Sequence, residues 1–223
     1  MMVLNKSNHY NWLPIIDEFL PIIQWLLEII FKQMKPNKKT VKIIILGPQY
    51  SGKTELWCRL QGIVNKEKGG TGQDEIKEFV LGKKKDGTSV VVEDSIDIGG
   101  GDTYVKEYDK LIVSDGTFIY YLIDVRKIKQ DKEDTKLRLR KIASLATKNN
   151  LHNCGITILG THIDTDDEDG KYPGIKEDAK KEIIRDILGN TIKGLKSTRV
   201  EIISPTNPTD IETIKNEILK TIE

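Results

Sequence analysis

The sequence predicts an α/β fold: a six-stranded, mostly parallel sheet with one antiparallel strand and helices on both faces. Three observations carry this. From Val41 onward, short apolar runs alternate with segments of helical period. Three of the runs, Val41–Leu46, Phe118–Asp124 and Ile156–Gly160, are nearly continuous, as strands buried on both faces are. Lys83 to Thr88, KKKDGT, reads as the turn of a single hairpin, which makes the one antiparallel pair.

Before this alternation lies a segment of different character. Trp12 to Phe31 is strongly apolar, and Asp17, Pro21, Gln24 and Glu28 line one helical face. The pattern predicts an amphipathic helix with a narrow polar stripe, Pro14 in its first turn and a kink or break at Pro21. Three roles stay open. The helix lies on a membrane or a partner, packs on its own domain, or spans a bilayer, where Asp17, Glu18 and Glu28 are costly. Lys32, Lys35, Lys38, Lys39 and Lys42 follow and suit an anionic lipid surface. The expected division is residues 1–39, helix and basic linker, and 40–223, the α/β domain.

Length and charge fit that division. The chain has 223 residues, enough for one α/β domain with an appendage. Lys plus Arg number 35 and Asp plus Glu 34, so the charge gives no case for a nucleic-acid partner. Cys58 and Cys154 fit no metal-ligand pattern, and two such cysteines suit a reducing, intracellular compartment.

Taken in order, the strands are Val41–Leu46, Glu75–Leu81, Ser89–Ile96, Phe118–Asp124, Ile156–Gly160 and Val200–Ile203. The helices are Thr54–Gln61, Thr103–Val113, Asp131–Asn149, Ile175–Leu188 and Thr209–Ile222, the last capped by Thr209 or Asp210 after Pro208. Between the first strand and first helix stands Gly47-Pro48-Gln49-Tyr50-Ser51-Gly52-Lys53-Thr54. It matches G-x-x-x-x-G-K-[ST] at every position. Strand, Gly-rich loop and helix let backbone N–H groups from Gly47 to Thr54 wrap a phosphate chain, with the helix N-terminus adding partial positive charge. Lys53 reaches the β- and γ-phosphates, and the Thr54 hydroxyl binds Mg²⁺. This predicts a P-loop NTPase.

Four further segments fall at strand ends, where an open parallel sheet presents its ligand site. Asp97-Ile98-Gly99-Gly100 follows the third strand; Asp97 holds Mg²⁺ through water and the Gly100 N–H meets the γ-phosphate. Thr71, in the loop Asn65 to Gln73, ligates Mg²⁺ when a γ-phosphate is present and withdraws otherwise. In Thr161-His162-Ile163-Asp164 the Asp164 carboxylate accepts two N–H donors from a guanine edge. Ser204-Pro205-Thr206 closes over a base or is a plain turn.

This ordered set resembles the small GTPases, and within them the Arf-like branch, over about Val41 to Glu223. Asp97-Ile98-Gly99-Gly100 resembles their Asp-Val-Gly-Gly. Thr161-x-x-Asp164 stands where they have Asn-Lys-x-Asp, and Ser204-Pro205-Thr206 where they have Ser-Ala-Lys or Cys-Ala-Thr. An amphipathic helix before the domain is also an Arf-like habit. The resemblance implies a G domain, GTP or GDP with Mg²⁺, and an effector or activating protein that reads the switch loops. The departures matter too. Gly101 stands where the family carries the Gln that orients the attacking water, so intrinsic hydrolysis is expected to be slow. Asp102 is a poor geometric substitute. His162 replaces a base-packing Lys, and Thr161 replaces the Asn. Met2 rather than Gly leaves N-myristoylation unencoded.

Three functions stay open on the sequence. The first is a guanine-nucleotide switch with slow or partner-assisted hydrolysis. The second is a nucleotide-binding scaffold that does not hydrolyse. The third is a P-loop kinase or ATPase, which needs arginines over the transferred group; Arg126, Arg138 and Arg140 are the nearby candidates, with Arg138 and Arg140 expected on a solvated helix face.

Overall fold

A computed structural model describes residues 20–29, 37–65, 73–114, 116–151, 155–163 and 198–222. The expected helix Ile175–Leu188, and the Thr71 and Asp164 sites, lie outside the described residues. The chain divides into two compact units, Met1–Asn37 and Lys38–Glu223. In the first, residues 20–29 form helix α1, which includes Pro21. Leu20, Ile22, Ile23, Trp25, Leu26 and Leu27 in it are all exposed. Among the described residues no helix is long and apolar enough to cross a membrane.

Among its described residues the second unit contains nine strands, where the sequence predicts six. These are β1 Lys38–Val41, β2 Ile43–Leu46, β3 Gln73–Ile76, β4 Phe79–Lys83, β5 Ser89–Val92, β6 Ser95–Ile98, β7 Phe118–Asp124, β8 Gly155–Thr161 and β9 Thr198–Ile202. They form sheets of order β1-β5-β4, β2-β7-β8-β9 and β3-β6. Each of the first three expected strands is cut in two, because the ladder breaks at Lys42, at 77–78 and at 93–94. Glu93 N–H donates to Val41 O and Ser95 Oγ donates to Ile43 O, so contact continues across the break without a ladder. The pairs β1–β5, β2–β7, β7–β8 and β8–β9 are parallel, while β4–β5 and β3–β6 are antiparallel. The turn at Lys84–Thr88 forms as the sequence predicts: Gly87 N–H donates to Lys84 O and Asp86 Oδ1 accepts from Thr88 N–H.

Alternate strand residues feed two cores, one on each face. Ile44, Leu46, Ile119, Tyr121, Ile123, Ile156 and Ile158 pack with Leu139, Ile142 and Leu145 of α4, Lys132–Lys148. Ile43, Ile45, Tyr120, Leu122 and Leu159 pack with Leu56, Trp57 and Leu60 of α2, Lys53–Gln61, and with Ile211, Ile214 and Ile218 of α5, Pro208–Thr221. This two-sided burial is why the strand runs are continuously apolar. The expected helix Thr103–Val113 instead opens as a 3₁₀ segment, Asp102–Glu107, and becomes α-helical only at α3, Tyr108–Leu111. The cap of α5 also differs. Asn207 Oδ1 accepts from Thr209 N–H, and Pro208 takes the first helical position, where its missing N–H costs nothing. Asp210 turns back to accept from Ser204 N–H.

Candidate nucleotide-binding site

The parallel strands β2, β7 and β8 end side by side, and their C-terminal ends carry the loop Gly47–Thr54, Asp124 and Thr161. The loop turns tightly. Tyr50 has φ 61° and Gly52 φ 91°, both left-handed. Gly52 is the N-cap of α2, and no side chain caps that helix. Its first-turn N–H groups therefore face the loop, where an anion satisfies them best. Ser51 Oγ and Lys53 Nζ each donate to Pro48 O at 2.9 Å, which draws the loop around a cavity of about 200 Å³. Gln49, Tyr50, Lys53, Thr54, Gly99, Gly100 and His162 are among its lining residues.

The charges in this cavity sit in a low-dielectric wall. Burial lowers the Lys53 ammonium to about 8, against the pull of Asp97 and helped by Arg138. Burial also raises the Asp97 carboxyl, although a Thr54 hydrogen bond and Lys53 oppose it. Asp97 lies inside β6 rather than after the strand. Its Oδ2 accepts from Thr54 Oγ1 at 2.5 Å, and its Oδ1 is buried without a partner among the described residues. A hydroxyl paired to a carboxylate that keeps one oxygen unsatisfied is a fit donor set for a hard dication such as Mg²⁺. Thr71, the other expected ligand, lies outside the described residues.

Gly99 and Gly100 are buried against the loop. A Cβ on Gly100 would lie 2.1 Å from Gln49 N and 2.2 Å from Pro48 C, so only glycine permits this approach. Gly101 differs: its φ is −71°, and an added Cβ would meet nothing closer than Tyr104 Cδ2 at 3.8 Å. Nothing steric therefore requires glycine there.

Thr161 is buried at the end of β8. Its Oγ1 donates to Ser51 O at 2.9 Å, tying strand to phosphate loop, rather than facing the cavity. His162 has φ 63°, and its Nδ1 lies 3.0 Å from Thr161 Oγ1. Its Cε1 would stand 4.0 Å, and Pro205 Cγ 3.6 Å, from a Cβ on Gly52, so both overhang the phosphate loop. Ser204 Oγ and Thr206 Oγ1 are 2.8 Å apart.

Three features were not read from the sequence. Asp124, buried at the end of β7, accepts from Arg126 Nε at 2.9 Å and Nη2 at 2.8 Å. Burial pushes its carboxyl up, but Arg126 and His162 outweigh that and hold it below the usual range. A charge closing an apolar strand was the signal. Lys127 Nζ sits 5.9 Å from the Tyr50 ring centroid. Arg138 corrects an expectation: it is buried, not solvated, and donates to Asp134 Oδ2 and to Asp102 Oδ1, each at 2.6 Å. Arg140 is exposed, as expected.

No protein-family model matches the chain, and no curated protein does. Solved structures do match. A chain of the mammalian SRP receptor aligns with TM-score 0.55 and 18% identity, over 80% of this chain and 98% of its own. The Arl6 BBS3 small GTPase from Trypanosoma brucei, solved with the bound nucleotide analogue GppNp, aligns with TM-score 0.53 and 11% identity, over 83% and 100%. The fold is that of the small GTPases, with helices on both faces of a mostly parallel sheet.

Proposed function

We propose that this chain is a guanine-nucleotide-binding switch that binds GTP and GDP with Mg²⁺. The observation that carries the reading is the buried Lys53 inside the phosphate loop, beside the Thr54–Asp97 pair. Lys53 and the N–H groups at the start of α2 bind the phosphates, and Thr161 fixes the loop from below. Thr54 and Asp97 would hold the Mg²⁺, with Thr71 as a further ligand, and Mg²⁺ bound there would supply positive charge against the phosphates. Asp164, His162 and the Ser204–Thr206 segment serve the base. Titration with GTP, GDP and ATP, with and without Mg²⁺, tests this. Tight, Mg²⁺-dependent GTP and GDP binding with weak ATP binding is expected; equal ATP affinity would contradict guanine preference.

A specific observation favours a second reading, a scaffold that binds but does not cleave. Gly101 offers no side chain to the attacking water, and Asp102 is held by Arg138. Because Gly101 has room for a side chain, Gly101→Gln is expected to fold normally and to raise single-turnover hydrolysis on the order of tenfold. A folded variant with an unchanged rate would show that water positioning is not what limits the wild type.

The exposed apolar side chains of α1 and the lysines after it support peripheral contact with an anionic membrane. Removing residues 1–35 is expected to abolish sedimentation with anionic vesicles and leave GTP affinity intact. Vesicle binding that survives the truncation would refute this role. An effector or activating protein would read the switch loops.

A further inference from the structure

We propose that Gln49, on the phosphate loop itself, holds the water that attacks the γ-phosphate; this rests on the GTP reading above. The backbones of Gln49 and Gly100 are in contact, since a Cβ on Gly100 would fall 2.1 Å from Gln49 N. The Gln49 side chain therefore starts beside the Gly100–Gly101 turn, at the rim of the cavity that Lys53 and Thr54 also line. It is exposed, and its amide has no hydrogen-bond partner among the described residues.

The other groups here are engaged. Lys53 donates to Pro48 O, Thr54 to Asp97, Glu55 accepts from Arg59, and Asp102 accepts from Arg138. Lys127 lies over Tyr50. A carboxamide carries both functions the task needs: its oxygen accepts from the water, and its NH₂ donates to a phosphate oxygen. In the step it serves, the water oxygen bonds to the γ-phosphorus and the bond to the β–γ bridging oxygen breaks. The bond's electron pair leaves on GDP. One water proton stays on the inorganic phosphate and the other is released to solvent.

The test is single-turnover hydrolysis by the full chain loaded with GTP and Mg²⁺, in wild type, Gln49→Ala and the double variant Gln49→Ala with Gly101→Gln. Gln49→Ala is expected to lower the rate on the order of 100-fold, with GTP still bound and the Tm unchanged because the side chain is exposed. The double variant is expected to recover the rate, since it returns an amide from the adjacent turn; a structural role for Gln49 would not be rescued this way. A Gln49→Ala rate equal to wild type, or a wild type that binds GTP and leaves it uncleaved, overturns this proposal alone. A wild type that binds no guanine nucleotide overturns the reading and the proposal together.

Discussion

Lys53→Ala is expected to weaken GTP and GDP binding by about 10³-fold while leaving the fold intact. The ammonium is buried at the first residue of α2, where it can reach the phosphates from a wall of low dielectric. Hydrogen bonds to charged groups contribute about 1.5–3 kcal/mol each, so two phosphate contacts account for roughly 4 kcal/mol, or about three decades of affinity. The fold should not suffer. Alanine is the best helix former, and burial that lowers Lys53 to about 8 makes the charged side chain a burden in the nucleotide-free protein. Calorimetric titration beside a melting curve checks both. Tight GTP binding by a folded variant would refute the phosphate-loop assignment.

The second large effect belongs to Gly100. In Gly100→Ala the new methyl would meet the Pro48–Gln49 backbone at 2.1–2.4 Å, and backbone cannot turn aside as a side chain can. The turn Gly99–Gly101 must then lift from the phosphate loop. The expected cost is roughly 2–3 kcal/mol of stability, with loss of amide-exchange protection across 97–101. Gly101→Ala is the paired control: an ordinary φ and open space predict a change within about 0.5 kcal/mol. Equal losses in the two variants would show that the close approach is not what selects glycine at position 100.

What the sequence made legible was local. The phosphate loop sits in eight consecutive residues, and the two-sided apolar runs announce the central strands. Contacts between distant residues were opaque. Arg138 looked solvated because charge on a helix usually is, yet its partner Asp102 lies 36 residues away in sequence. Thr161 was placed only by its position in the segment before Asp164; that its hydroxyl donates to Ser51 O, 110 residues earlier, could not be read from it. The expected strands broke at Lys42 and at 77–78 because hydropathy reports burial, whereas a ladder depends on the partner strand's register. At α5, Asn207 outcompeted Thr209 and Asp210 because Pro208 fixes the first turn and puts the cap one residue before it.

If the cavity at the phosphate loop holds a guanine nucleotide, that nucleotide should co-purify with the full chain in Mg²⁺ buffer and be identified by mass after denaturation. GDP or GTP, near one per chain and absent from Lys53→Ala, is the predicted result. ATP or ADP at that stoichiometry, or a guanine nucleotide retained equally by Lys53→Ala, would contradict it.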